Sequence, residues 1–469
     1  MVRLLFQQVN KVFTVQKYKI FQWAWPRKIF YFGFPMNLET FFEKTGFSLD
    51  ISNGPRLAAA VRGEMERGLT GKKSSLKMLP AFVGLSDPEL ERDIIIIDAG
   101  GSNLRVGTMR FTRDMKPLIR GLVKTAMPGT ARYVDAGRFY ADIAAQCRRI
   151  KSVSRSIGFC FSYPARITPQ CDAQVLLAPK ELKAGIVGTM AGSSLLQKLS
   201  PKNPDHYCIT VVNDTVAALL GGKAVSLHRN CSGWIGLVLG TGTNIAYVEK
   251  VENITKLSAR DCAAFGRDAM VINTEMGALD IFPRTAIDIA LDNTSNAPGV
   301  HKAEKMISGK YLGPIVLALL RQAAATGMLS PLFAQKVLSL EELDTTEVSH
   351  FLSAPSLVSG ACTRALATKG KSRDQTFTRA VMERVVERSA FFVACELAAM
   401  LLKTGAGKRK SAPAGIMADG STFYGLKGYQ KRIERHLAAV LGKDKRAISF
   451  ISAENPNLIG AGLAALVRD

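Results

Sequence analysis

The run Asp93-Ile94-Ile95-Ile96-Ile97-Asp98-Ala99-Gly100-Gly101-Ser102-Asn103-Leu104-Arg105-Val106 decides the fold. Four consecutive isoleucines bounded by aspartates form a short apolar run with no polar face, which is how a strand buried on both sides reads. Gly100-Gly101-Ser102-Asn103 supplies a tight turn and Leu104 to Phe111 returns as a second strand, so the unit is a β-hairpin. An echo follows 140 residues later: Trp234 to Leu239 is apolar, Gly240-Thr241-Gly242-Thr243 turns, and Asn244 to Val248 comes back. Two such units a domain's length apart predict a duplicated α/β fold with a cleft between its halves. Around them the pattern predicts strands at Ile157 to Phe161, His206 to Val212 and Ile448 to Ile451. It predicts helices at Phe139 to Lys151, Val216 to Ala224, Glu304 to Ala325, Phe377 to Lys403 and Leu458 to Val467. Upstream, Leu57, Val61, Met65 and Leu69 at i, i+4 spacing make residues 37–77 helical, with Gly71 as a stop. Strands alternating with helices exclude an all-α or all-β class.

The chain has 469 residues, room for two or three domains at roughly 100 to 200 residues each. Its 47% hydrophobic and 22% charged residues fit a globular protein and exclude intrinsic disorder. No apolar stretch reaches the ~18 residues of a membrane span, so a transmembrane protein is not expected. Eight cysteines without a C-x-x-C pair and five scattered histidines argue against structural zinc and a disulfide scaffold, and fit reduced cytoplasmic thiols. The net charge of +23 invites a nucleic-acid reading. Apart from Lys408-Arg409-Lys410 there is no basic tract, however, so a solvated basic surface that draws in anionic substrates is the better reading. Residues 1 to 35 hold six basic residues, no acid and ten aromatics, among them Trp23 and Trp25. An interfacial amphipathic segment, a targeting peptide and upstream sequence outside the fold all remain open for it; with Met36 following at once, the third is expected.

A glycine-rich turn presents backbone N–H groups to phosphate oxygens, and the carboxylate of Asp98 beside such a turn suits a hydrated magnesium ion bridging to one. An ordinary β-turn is the alternative. Neither turn matches G-x-x-x-x-G-K-[ST] or opens a helix, which excludes a P-loop. Asn213-Asp214-Thr215 closes the apolar run Ile209 to Val212 just before a helix, where a carboxylate is placed either to act as a base or, with Thr215, to cap the helix.

Taken in order, the motifs resemble the hexokinase family. They begin with Glu64-Met65-Glu66-Arg67-Gly68-Leu69 and Lys77-Met78-Leu79-Pro80, and continue through Asp98-Ala99-Gly100-Gly101-Ser102-Asn103-Leu104-Arg105-Val106 to Phe161-Ser162-Tyr163-Pro164 and Val212-Asn213-Asp214-Thr215-Val216. Leu239-Gly240-Thr241-Gly242-Thr243-Asn244, Ile272-Asn273-Thr274-Glu275-Met276-Gly277-Ala278, Pro298-Gly299 with Glu304 to Gly313, and Asp419-Gly420-Ser421 follow. The resemblance runs from about residue 60 to the C-terminus. It implies the duplicated actin-like (ribonuclease H-like) ATPase fold: a helical lead-in over 36–92, a small lobe over 93–213 with the C-terminal helix 455–469, and a large lobe over 214–454.

It also implies roles. Asp214 would take the proton of a hexose 6-hydroxyl and Lys180 would stabilise the transferred phosphoryl group. Ser162, Lys180, Asn213, Asp214, Asn244, Glu275 and Glu304 would hold the sugar. ATP would rest its phosphates on Gly100, Gly101, Ser102, Asn103, Arg105, Gly240, Thr241, Gly242 and Thr243, with Mg2+ on Asp98 through water. Asp419, Gly420 and Ser421 would line the adenosine site. Two departures stand out: Pro179 where many hexokinases have threonine, and Glu454 to Gly460 in place of a glycine-rich stretch. The expectation is a single-catalytic-unit, cytoplasmic hexokinase, monomer or homodimer, acting on glucose with Mg-ATP and taking no specific nucleic acid. A kinase for another hexose and a non-catalytic hexose-binding sensor are the alternatives.

Overall fold

The computed structural model describes residues 37–178, 182–353 and 372–467. Two sheets organise them. The first is built from β1 (Ile94–Ala99), β2 (Asn103–Phe111), β3 (Pro117–Ala126), α1 (Ala136–Cys147), β4 (Ser156–Phe161), α2 (Ala191–Leu199), β5 (Cys208–Val212) and α3 (Asp214–Val225). The second is built from β6 (Gly233–Leu239), β7 (Thr243–Lys250), β8 (Ala269–Asn273), α4 (Ser372–Thr404), β9 (Ala414–Asp419), α5 (Tyr429–Leu441), β10 (Ile448–Ile451) and α6 (Pro456–Leu466). Strand order is β3-β2-β1-β4-β5 in one and β8-β7-β6-β9-β10 in the other, with Leu79–Pro80 added beside β8. In both, the first three strands are antiparallel and the last two join in parallel. The echo in the sequence is therefore a true duplication.

The four isoleucines of β1 are buried on both faces, as a strand covered by helices on each side must be. Ile95 and Ile97 pack with Phe139, Ile143, Leu195 and Leu199 of α1 and α2. Ile94 and Ile96 turn to the other face and pack with Val216, Leu220, Leu458 and Leu463 of α3 and α6. Those two helices lie against each other, α3 also packing on the second sheet and α6 on the first. Small residues permit the approach: a Cβ on Gly460 would come within 1.8 Å of the Ala217 carbonyl oxygen, and one on Gly221 within 2.4 Å of the Pro456 carbonyl oxygen.

Four expectations change. Residues 37–77, read as helical, hold two helices, Leu38–Thr45 and Gly54–Leu69, because Gly46 takes a left-handed φ of 75° that ends the first and a 3-10 turn at Ile51–Asn53 leads into the second. The helix read as Glu304 to Ala325 is two, Glu304–Ile307 and Gly309–Ala325, broken at the extended Ser308. The helix after β5 is capped by Asn213, whose side chain accepts from the Thr215 amide, and Asp214 is its first residue; neither Asp214 nor Thr215 is the cap. Residues 204–206 form a 3-10 turn, so β5 starts at Cys208.

Candidate active site

The conspicuous polar side chains gather where strands end. Asp98 is the fifth residue of β1, in register with Cys160 of β4. Its carboxylate is 4% exposed, accepts from Arg105 Nη1 at 3.2 Å through Oδ2, and leaves Oδ1 buried with no hydrogen-bond partner. Burial raises the pKa of Asp98, the Arg105 guanidinium and the neighbouring Cys160 thiol oppose this, and the charge of Asp419 at the end of β9 raises it further. The turn after β1 is pinned by the Gly100 amide on the Asn103 carbonyl at 3.0 Å and by Tyr163 Oη on the Gly100 carbonyl at 2.9 Å. A Cβ at Gly101 would meet nothing within 4 Å, and Gly101 and Ser102 are exposed, so the turn is open to a ligand. Ser162 follows β4 immediately, its amide on the Ala99 carbonyl.

Asp214 opens α3 at the end of β5, half-buried. Its Oδ1 accepts from the Thr215 amide at 2.7 Å and the Thr215 hydroxyl at 3.1 Å. Burial pushes its pKa up, the two Thr215 bonds pull it down, and the negative charges of Asp98 and Glu275 push it up again, leaving it at about 6. Cys160 lies beside both acids, and burial with the charges of Asp98 and Asp214 keeps its thiol protonated.

The second hairpin carries the neighbouring wall. Asn244 Nδ2 donates to Asn273 Oδ1 at 2.7 Å, Asn273 Nδ2 donates to Glu275 Oε1 at 2.9 Å, and Asn244 Oδ1 accepts the Met276 amide at 3.1 Å. Glu275 holds a left-handed backbone, φ 59°, which is strained for a residue with a side chain and is fixed here by its amide on Asn273 Oδ1. Glu304 Oε2 accepts from the Thr243 amide at 3.2 Å, so this acid is tied to the turn itself. Its pKa is raised by burial and by Glu275, against the pull of His301, Thr243 and Lys310. On the far side of the turn, the Gly240 carbonyl accepts from the Thr422 hydroxyl at 2.8 Å and the Gly309 amide at 2.9 Å. Gly420, at φ 116°, lies so close to Leu239 that a Cβ would come within 2.4 Å of its backbone.

Of the residues singled out in the sequence, Asp98, Asp214, Glu275, Glu304 and Asp419 feel one another's charge or share a turn, and Asn213, Asn244 and both glycine turns lie on the same strand ends. Lys180 and Pro179 lie outside the described residues. Asn273 was missed, although it stands inside the motif that pointed to Glu275; its signal was a carboxamide two residues before an acid at a strand end. Thr215 and Thr422 were also missed as the groups that fix Asp214 and the second turn. Among the described residues no group of three or more His, Cys, Asp or Glu side chains could hold a metal ion directly.

Duplicated sheets, paired glycine turns and an aspartate beneath them define an actin-like ATPase fold. Residues 43–224 match one family model described as hexokinase and residues 234–467 match another of the same description; the chain belongs to the hexokinase family. It is 28% identical over 435 residues to hexokinase-1 of Homo sapiens, covering 87% of this chain and 45% of that protein. It is 29% identical over 438 residues to hexokinase-7 of Oryza sativa subsp. japonica, covering 87% and 92%. The chain thus spans about half the length of the mammalian relatives and nearly all of the plant one. The solved hexokinase from Schistosoma mansoni complexed with glucose superposes with a TM-score of 0.73 at 24% identity, covering 92% of this chain and 99% of that one.

Proposed function

We propose that this chain transfers the γ-phosphoryl group of ATP to the 6-hydroxyl of a hexose, with glucose as the substrate. The observation that carries the reading is the setting of Asp214: a carboxylate at a strand's carboxyl end, held by two bonds from Thr215 within reach of the charges of Asp98 and Glu275, which with burial raise its pKa to about 6. A base for an alcohol needs such a poise, since one ionised at every pH would be a weak proton acceptor. In the reaction the sugar O6–H bond breaks, its proton passes to Asp214, O6 bonds to the γ-phosphorus, and the bond from that phosphorus to the bridging oxygen breaks to release ADP. Asn213, Asn244, Glu275 and Glu304 supply carboxamides and carboxylates for the sugar hydroxyls. The open amides of the two turns suit phosphate oxygens, with Asp419, Gly420 and Ser421 beside the second turn for the adenosine. Lys180 is assigned to the phosphoryl group on the family pattern alone.

The buried, unpartnered Oδ1 of Asp98 fits a water ligand of a magnesium ion better than it fits a closed core, where an orphaned acceptor is costly. When bound with the nucleotide, that ion neutralises phosphate charge. A coupled assay with glucose and Mg-ATP tests the proposal directly. Asp214→Ala is expected to lower kcat by roughly a hundredfold or more while weakened sugar binding survives in calorimetry. Activity within about threefold of the parent would remove Asp214 as base. Rates on mannose, fructose and glucosamine beside glucose separate this reading from a kinase for another hexose, and no turnover with retained glucose binding would make the chain a sensor.

A further inference from the structure

Three loops meet where adjacent parallel strands of the second sheet begin, at the opposite end of β6 from its glycine turn: residues 226–232 before β6, 405–413 before β9 and 442–447 before β10. They are zipped together. The Gly407 amide donates to Ser232 Oγ at 2.8 Å, the Ala447 amide to the Gly407 carbonyl at 2.7 Å, and the Ala414 amide to the Ala447 carbonyl at 2.8 Å. Asn230 Nδ2 reaches the Ser411 carbonyl at 3.3 Å, and a Cβ on Gly407 would lie 2.4 Å from the Ala447 carbonyl oxygen, so the loops cannot be prised apart cheaply. Together they carry Arg229, Lys408, Arg409, Lys410, Lys443, Lys445 and Arg446 against one acid, Asp444. All but Arg446 are exposed, and none of the seven has an ion-pair partner among the described residues.

Neighbouring strands are about 4.8 Å apart, so three strand ends span only about 10 Å, close to one screening length at physiological salt. The charges therefore act as one patch. We infer that this patch is a docking surface for an anionic lipid headgroup layer, which it would meet flat-on with the catalytic cleft left free at the opposite strand ends. The chemistry of the loops favours that partner. Besides these charges the loops hold Gly, Ser, Ala and Asn with single Leu227, His228, Cys231 and Pro413, and none of the exposed large hydrophobic residues lies there. A protein interface needs apolar or aromatic anchors, and single-stranded nucleic acid needs stacking rings. A duplex groove is read by a helix or ribbon, which these loops do not present. A headgroup layer needs charge alone, about 1 kcal/mol for each nearby Lys or Arg.

The test is co-sedimentation of the full chain with vesicles of phosphatidylcholine alone or with about 30 mol% phosphatidylserine. The chain is expected to bind only the anionic vesicles and to be released at about 0.5 M NaCl. Lys408→Glu with Arg409→Glu and Lys410→Glu should weaken binding at least about tenfold, and Lys443→Glu with Lys445→Glu, in a different loop, should act in the same direction. Neither set touches the cleft, so glucose turnover should stay within about twofold. The control is Lys198→Glu with Arg260→Glu and Lys336→Glu, which makes the same change in net charge as the triple patch variant, and a larger one than the double, on exposed sites elsewhere and should bind like the parent. The proposal is overturned if the parent ignores anionic vesicles, if it binds duplex DNA or polyglutamate but no vesicles, if the two patch variants bind like the parent, or if the control loses as much as they do.

Discussion

Asp214 is governed by opposing neighbours. Burial raises its pKa, Thr215 lowers it, and Asp98 and Glu275 raise it again to about 6. A base acts deprotonated, so kcat/KM for the hexose is expected to rise with pH, level off above about 6, and fall about tenfold per unit below it. A rate profile from about pH 4.5 to 8 checks this, and a limb below about pH 5 would place the controlling group elsewhere. Glu396 is a different kind of acid. It sits in the middle of α4, wholly buried, with both carboxylate oxygens unpartnered, and burial alone drives its pKa well above the ordinary value. Because the folded-state pKa is raised, its neutral form is retained on folding; stability is greatest below the unfolded pKa and declines as pH rises toward the folded one. Glu396→Leu is therefore expected to raise the urea midpoint at pH 8, by about 1 kcal/mol or more in stability, with the gain shrinking toward pH 4.5. An unchanged or lower midpoint at pH 8 would mean that the carboxyl has a partner in solution. Asp214 was legible because a carboxylate between a strand's end and a helix is conspicuous. Glu396 was not, because one acid in a long helical pattern reads as solvated until the helices packed round it are known.

The two hairpins were the most legible elements, since a buried strand and a glycine turn are both local signals. Elements whose form depends on distant partners were not. β3 is largely exposed at a sheet edge and lacks an apolar run, and the six residues of β9, Ala-Gly-Ile-Met-Ala-Asp, are too small and mixed to announce a central strand. The break at Ser308 has its cause outside the helix: the Gly240 carbonyl of the second turn takes the Gly309 amide, which draws the chain out of helical register. That turn also explains why Gly242 must be glycine, because a Cβ there would stand 2.7 Å from Glu304 Oε2. Gly242→Ala is expected to displace the carboxylate and not the backbone, raising the hexose KM roughly tenfold, the scale of one charge-assisted hydrogen bond, with a smaller fall in kcat. Thermal unfolding should be little changed. Steady-state kinetics check it, and an unchanged KM would take Glu304 off the sugar.

At the scale of the whole molecule, α3 packs on the second sheet and against α6, which packs on the first, and α3 opens with Asp214 and ends at its C-cap, Ser226. Trp234, at the start of β6, donates from Nε1 to Ser226 Oγ at 3.1 Å and packs against the small cluster of Ala218, Met417 and Ile451. Any motion of α3 against the second sheet therefore changes the surroundings of this indole. Water competes with a sugar hydroxyl for a phosphoryl group, so a hexose kinase gains by closing its cleft on the sugar before transfer. Glucose is expected to shift the emission of Trp234, and ATP alone is not, because the sugar selects the closed form and that form completes the phosphate site. Trp23 and Trp25 are the other tryptophans, so the measurement belongs on a variant lacking residues 1 to 35. The family match starts at residue 43, and that variant is expected to fold and keep its activity. Emission that stays flat across a glucose titration, with binding confirmed by calorimetry, would show that closure does not pass through the α3 end of the second sheet.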